Sequence, residues 1–129
     1  MVILRGNHES AQLTEFFNFK KECTNKYDLE TYLLFIESFT TLPIACVLNN
    51  KFLVVHGGIS PELNLVLSNK QVNDINNFNR FMETPKSGLL CDLLWSDPVD
   101  NDNGLQEKDF VYNETRGCSY YFGYFHLPD

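Results

Sequence analysis

The sequence lacks the devices that hold a small chain together from outside its core. It has four cysteines, Cys23, Cys46, Cys91 and Cys118, but no C-x-x-C pair and no Cys/His spacing of the zinc-finger kind, which excludes a thiol-rich structural zinc site. Nor is it a short cysteine-dense scaffold, and because Met1-Val2-Ile3-Leu4 runs straight into Arg5-Gly6 no signal peptide is expected. All four thiols are therefore expected to be reduced, mostly buried and cytosolic. Positive charge is scarce too: 10 Lys plus Arg stand against 17 Asp plus Glu, a formal net charge of -7. That balance repels a phosphate backbone and speaks against a nucleic-acid partner. Long apolar runs are missing as well. Leu33-Leu34-Phe35-Ile36 and Phe52-Leu53-Val54-Val55 fall far short of the ~20 residues that span a bilayer, so no membrane partner is expected.

What is present is core material. Of 129 residues, 43% are hydrophobic and 14% aromatic, enough for one domain that buries roughly two-thirds of its unfolded surface. Val2-Ile3-Leu4 reads as the end of a buried strand. From about Ser10 to Tyr27 the positions Leu13, Phe16, Phe17, Cys23 and Tyr27 recur at helical spacings, predicting one helix. Asp28 then caps a second, which turns Leu29, Tyr32, Leu33, Ile36 and Phe39 inward and stops before Pro43. Ile44-Ala45-Cys46-Val47-Leu48, the turn Asn49-Asn50-Lys51 and Phe52-Leu53-Val54-Val55 predict a hairpin of two buried strands. Val72, Ile75, Phe78 and Phe81-Met82 suggest a weak helix. Leu89 to Trp95 is an apolar stretch around Asp92, and the acidic loop from Ser96 to Gly104 carries no helix or strand period. Cys118-Ser119-Tyr120-Tyr121-Phe122 is aromatic enough for a strand.

Four short segments carry chemistry. Gly6-Asn7-His8-Glu9 follows the first strand, at the end where open α/β sheets place their ligands. Asn7 offers a hard carbonyl oxygen to a metal, and His8 an imidazole able to protonate a leaving group near neutral pH. Val54-Val55-His56-Gly57-Gly58 again puts a His directly after a strand, with glycines leaving room for a close neighbour. In Thr115-Arg116-Gly117-Cys118 the planar guanidinium suits bidentate phosphate recognition. Trp95-Ser96-Asp97-Pro98 supplies an aromatic and a carboxylate that can orient such groups. Each has a plainer explanation taken singly: a structural turn for Asn7-His8, a hairpin exit for His56, a surface Arg116, a core Trp95 and a turn Asp97.

In this order the segments resemble the phosphoprotein phosphatase family of metal-dependent serine/threonine phosphatases, through Leu4-Arg5-Gly6-Asn7-His8-Glu9, Cys46 to Gly58, Leu93-Leu94-Trp95-Ser96-Asp97-Pro98 and Arg116-Gly117. Leu13 to Cys23 and Arg116-Gly117-Cys118-Ser119-Tyr120 follow the wording of its calcineurin branch. The resemblance implies an α/β fold: the central part of a metallophosphoesterase-type β-sandwich flanked by helices, incomplete at both ends, with 1–129 a single partial catalytic domain. It also implies that Asn7 and His56 are ligands of one metal of a two-metal centre, iron with zinc or manganese. His8 would be the general acid, normally backed by an Asp, and Arg116 would clamp the phosphate, with Trp95 and Asp97 supporting. The implied reaction is hydrolysis of phosphoserine and phosphothreonine in protein substrates by a metal-bound hydroxide.

The family's Asp-x-His and Gly-Asp-x-x-Asp-Arg-Gly blocks belong before Gly-Asn-His-Glu, where only residues 1–6 stand, and a further downstream ligand His is absent. His126, in Tyr124-Phe125-His126-Leu127-Pro128, has the wrong setting to replace it. The isolated chain is therefore expected to be inert or nearly so. The alternative is a non-catalytic module that keeps the family surface and binds phosphoproteins or a regulatory subunit; retention of Asn7, His8, His56 and Arg116 together favours the enzyme. A calcium loop at 100–104 fails on register, because counting Gly104 as its sixth position leaves Val99 and Phe110 where carboxylates are needed. The resemblance further implies a cytoplasmic location, with a calcium-binding regulatory subunit and calmodulin as partners through segments outside this chain.

Overall fold

The computed structural model describes residues 1–63, 75–76, 78–99 and 110–123. Val72, the acidic run at 100–104 and His126 lie outside them. The architecture is mixed α/β, as expected, and the helices come first. Ser10, in extended conformation, accepts a hydrogen bond from Leu13 N at 3.3 Å and so caps α1 (Ala11–Phe16). The single helix expected to reach Tyr27 is broken: Asn18 takes a left-handed φ of 68°, and α2 (Phe19–Lys26) starts anew. Asparagine is one of the few side chains that tolerate this conformation, and apolar spacing does not register the break. Beyond it, Phe19 packs against Tyr32, Phe35 and Phe39 of α3 (Leu29–Thr41) with ring centroids 5.4–6.4 Å apart.

Asp28 caps α3 as expected, its carboxylate accepting from Thr31 N at 2.7 Å. The inward face is narrower than the spacing predicts. Tyr32 is buried and its hydroxyl lies 3.1 Å from Thr14 Oγ1, whereas Leu29 and Leu33 are each 55% exposed. Leu-Leu-Phe-Ile is apolar all round, and α2 covers only one side of it.

The hairpin forms in the predicted place: β1 (Ala45–Leu48) runs antiparallel to β2 (Phe52–Val55) with Ala45 opposite Val55 and Leu48 opposite Phe52. Asn49 and Asn50, with φ of 53° and 52°, supply the left-handed pair that a tight primed turn requires. The expectation of two buried strands needs correcting, because Val47, Leu48, Phe52 and Val54 are exposed. A two-stranded sheet covered on one side buries only alternate residues, here Ala45, Leu53 and Val55 against the core.

That core is built on α4 (Leu89–Trp95), where Leu90, Leu93 and Leu94 are at most 1% exposed and pack with Ile44 and Ile75. Each such leucine contributes about 2 kcal/mol through burial. Phe78 joins them, half-buried, while Phe81 and Met82 of the expected weak helix are exposed and outside any helix. Beyond α4 a second sheet holds β3 (Asp97–Pro98), β4 (Phe110–Tyr112) and β5 (Tyr120–Phe122) in the order β3-β5-β4, with β3 parallel and β4 antiparallel to β5. The strand β5 lies within the predicted aromatic run, whereas β3 falls in the loop expected to be irregular; two residues are too few to show a period. The strand expected at Val2-Ile3-Leu4 does not form. Val2 and Ile3 are exposed, with no neighbouring strand among the described residues, and the backbone is held instead by Arg5 N donating to Pro43 O at 2.8 Å.

Candidate active site

The Gly6-to-Glu9 turn closes on itself. Gly6 N donates to Glu9 Oε2 at 2.9 Å, Glu9 N to Gly6 O at 3.2 Å, and Ser10 Oγ to Asn7 O at 3.2 Å. Beneath it lies Arg5, 1% exposed, whose Nε donates to Glu9 O at 3.0 Å and Nη1 to Met82 O at 2.8 Å, while Nη2 stands 3.5 Å from Glu83 Oε1. Burial lowers the Arg5 guanidinium below its ordinary value, and Glu83 and Glu9 work against that. Glu83 Oε2 also accepts the free first-turn amide of α1, Ala11 N, at 2.7 Å. The turn is thereby tied both to α1 and to the distant 82–83 segment.

The strand β2 delivers His56 to this turn. Its Nε2 lies 3.1 Å from Asn7 Oδ1 across 49 residues of sequence, with the ring edge against Gly6, where an added Cβ would sit 3.0 Å from His56 Cε1. The glycine is what lets the imidazole approach. Without a metal the pair is a hydrogen bond in which the Nε2–H tautomer donates to the amide oxygen. The two atoms also fit as donors to one cation, since ligands about 2.1 Å from a metal and near right angles to each other lie about 3 Å apart. An imidazole nitrogen with an amide oxygen suits iron, zinc or manganese. Among the described residues, no group of three or more His, Cys, Asp or Glu side chains adds to them.

His8 is exposed and stacks on Phe17, centroids 5.0 Å apart at 22°, and Phe16 meets Phe17 edge-on. No carboxylate hydrogen-bonds to it among the described residues. Phe17 is a neighbour that no sequence signal pointed to, since helical spacing assigned it to the core and it is 57% exposed.

Arg116 stands at the turn between β4 and β5, clamped by Asp97: Nε donates to Oδ2 at 2.9 Å and Nη2 to Oδ1 at 3.1 Å. Asn113 braces both, its Nδ2 donating to Asp97 Oδ2 at 2.8 Å and its Oδ1 accepting from Arg116 N at 3.1 Å. The last bond is the ordinary side-chain-to-backbone closure of an Asn-initiated turn, a signal available in Asn113-Glu114-Thr115-Arg116. The Arg116 bond, then the Asn113 bond, hold the Asp97 carboxyl below its usual range, and Asp97 raises Arg116 in turn. The guanidinium also lies over the Trp95 ring, 6.0 Å from its centroid. So the bidentate edge that recommended Arg116 for phosphate is occupied by Asp97, and the Nη1/Nη2 end of the fork remains.

A cleft of about 420 Å³ opens between Ser10, Gln12 and Leu13, the 83–86 segment, Trp95 and the 116–118 turn. Its Cys118 adjoins the buried Cys91, whose thiol is pushed up to about 12, mainly by burial and then by that neighbour. All four cysteines are free. The structure thus gathers five of the six predicted residues into an Asn7/His56 pair and a Trp95/Asp97/Arg116 cluster, linked where Gly57 N donates to Leu93 O at 2.8 Å, and leaves His8 stacked on Phe17.

Comparison with known proteins shows the family. Residues 1–129 match the family model for calcineurin-like phosphoesterases. The chain is similar to serine/threonine-protein phosphatase 2B catalytic subunits A1 and A2 of Saccharomyces cerevisiae, at 48% and 45% identity over 93% and 95% of its length. It spans 22% and 23% of those two relatives. A solved S. cerevisiae serine/threonine phosphatase, described as similar to human phosphatase PP5, superposes with a TM-score of 0.75 at 34% identity, covering 95% of this chain and 34% of that one. No helix among the described residues is long and apolar enough to cross a membrane. The chain belongs to the calcineurin-like phosphoesterase family.

Proposed function

We infer that the chain is a catalytic segment of a calcineurin-type protein serine/threonine phosphatase, contributing one metal's Asn–His pair, the general acid and a phosphate-binding arginine. The observation that carries this reading is the 3.1 Å approach of Asn7 Oδ1 and His56 Nε2, because two motifs far apart in sequence converge donor on donor where a plain turn and a plain hairpin exit have no reason to meet. When bound, the two metals would supply Lewis acidity toward phosphate and a water made nucleophilic near neutral pH. Iron with zinc, or manganese, are the ions proposed.

The chain's own residues would divide the remaining work. Asn7 and His56 hold one cation, and His56 does so in the form with an unprotonated Nε2. His8, exposed beside Phe17, donates its proton to the departing serine or threonine oxygen. Arg116 grips two phosphate oxygens through its Nη1/Nη2 end, while Asp97, Asn113 and Trp95 keep the guanidinium from swinging. Phosphoserine and phosphothreonine proteins in the cytoplasm are the proposed substrates, and a calcium-binding subunit and calmodulin the proposed partners.

Paramagnetic broadening by Mn²⁺ in NMR spectra of the labelled chain tests the site. Broadening should centre on Asn7 and His56 and vanish in His56→Ala. Phosphate should shift Arg116 and Gly117 amides in the wild type only once Mn²⁺ is present. Phosphate binding at Arg116 without any metal dependence would support the non-catalytic binding module instead. The isolated chain should hydrolyse p-nitrophenyl phosphate at background rate, and metal-dependent turnover by it would contradict the assigned ligand set.

A further inference from the structure

The segment that carries His56 away from β2 does not run free; it is fastened to the last turn of α4 at successive residues. Gly57 N donates to Leu93 O at 2.8 Å, satisfying a carbonyl that the helix end leaves without an intrahelical partner. Ser96 Oγ, 1% exposed, lies 3.0 Å from Ile59 O and 2.7 Å from Asp92 O. Ser60 Oγ, fully buried, donates to Asp92 Oδ2 at 2.6 Å and accepts from Glu62 N at 3.1 Å. Space is as tight as the bonding: a Cβ on Gly57 would meet the Leu94 carbonyl carbon at 2.6 Å, and one on Gly58 the Phe122 ring at 2.2 Å.

Within this clamp Asp92 is out of place for a purely apolar helix. It is 1% exposed between Cys91 and Leu93, and its second oxygen, Oδ1, is buried without a hydrogen-bond partner among the described residues. A leucine would suit the leucine-rich core better, because a buried polar atom without a hydrogen-bond partner is destabilising. The structural return visible for that cost is the Ser60 bond.

We propose that Asp92 and Ser60 are positioning residues for the donor pair: their buried bond pins the 57–60 segment on α4, and that fixes the imidazole of His56 within reach of Asn7. This rests on the reading of Asn7 and His56 as a metal's donors. Outer partners that orient a ligand typically change metal affinity 10- to 100-fold when removed, and a loss at the lower end, about tenfold, is expected for a tether acting through four residues of backbone.

Two readouts on the full labelled chain test it. One is the nuclear Overhauser contact between His56 Hε1 and the Gly6 α-protons, which needs no metal; the other is the apparent Mn²⁺ affinity from broadening at Asn7 and His56. Asp92→Leu and Ser60→Ala should each weaken the contact and lower affinity about tenfold. The double variant should lose less than the two single losses combined, because the two substitutions share the Ser60–Asp92 bond. Asp92→Asn keeps an acceptor for Ser60 and should restore both readouts. Val99→Ala, a core truncation outside the clamp, should lower the melting temperature while leaving both untouched. Should Asp92→Leu fail to fold, Ser60→Ala decides the matter by itself. The proposal is overturned if Ser60→Ala melts early yet keeps the contact and the affinity. A wild type in which Mn²⁺ ignores Asn7 and His56 overturns the metal reading instead, and the proton contact then still confirms or rejects the tether.

Discussion

Arg116 uses its side-on edge for Asp97 and keeps its end-on edge, so one flat group is asked to make two paired contacts along neighbouring edges. Lysine has one point of charge and no second edge. Arg116→Lys should therefore weaken phosphate binding in the Mn²⁺-loaded chain about tenfold, the worth of one charge-assisted hydrogen bond, as measured by ³¹P or amide shifts on titration. Asp97 makes a separate prediction through pH. Its carboxyl is held below the ordinary value, first by the Arg116 bond and then by Asn113, so the stability it contributes is complete above the ordinary carboxylate value and fades as pH falls through the lower folded one. Thermal melts of wild type and Asp97→Asn should differ near pH 7 and converge as pH falls below the ordinary carboxylate range; a gap that widens on acidification would reverse the sign. At this scale the sequence was most informative. Motif wording read Asn7, His8, His56 and Arg116 as one site, and Asn113-Glu114-Thr115-Arg116 carried the signal of an Asn turn, but Phe17, Ser60 and Glu83 carry no such wording, and their partnerships exist only once the chain is folded.

Among the elements, the hairpin was the most legible, because Asn49-Asn50 is a strong chemical signal for left-handed backbone at both central positions. The break at Asn18 was not, since the apolar spacing runs on past it. Helix α4 was hidden for the opposite reason: apart from Asp92 it is apolar on every side, so it has no period to read, and only burial in three dimensions shows it to be the centre of the core. The packing of α4 against the hairpin exit makes a sharp test. Gly57→Ala puts a methyl group against the Leu94–Trp95 peptide, which is backbone and has no rotamer to give. A loss of about 1–3 kcal/mol in urea unfolding is expected, together with shifted His56 resonances. Asn50→Gly, which keeps the turn conformation, should be neutral or slightly stabilising.

At the scale of the molecule, the described residues leave much apolar surface exposed. Leu29, Leu33, Leu34 and Phe35 on α3 and Leu48 and Phe52 on the hairpin are all more than 40% exposed. Patches of that kind drive association in water. The purified chain should bind the dye ANS and sediment with a concentration-dependent mass, and Leu33→Lys with Phe52→Lys should reduce both; a dye-silent monomer at high concentration would contradict it. Composition could not foresee this, because a percentage of hydrophobic residues says how much there is to bury and nothing about whether a neighbour exists to bury it. The buried Arg5 has its own reach at this scale. It fastens the Asn7 side of the donor pair to Glu9, Met82 and Glu83, whereas the His56 side is fastened to α4. The 3.1 Å between the two donors is thus the gap of a caliper whose jaws are mounted on different parts of the frame. On the proposed reading of the pair as a metal's donors, a disturbance at either mounting, however far from the site, would change that one gap, and metal affinity would gauge the frame's alignment.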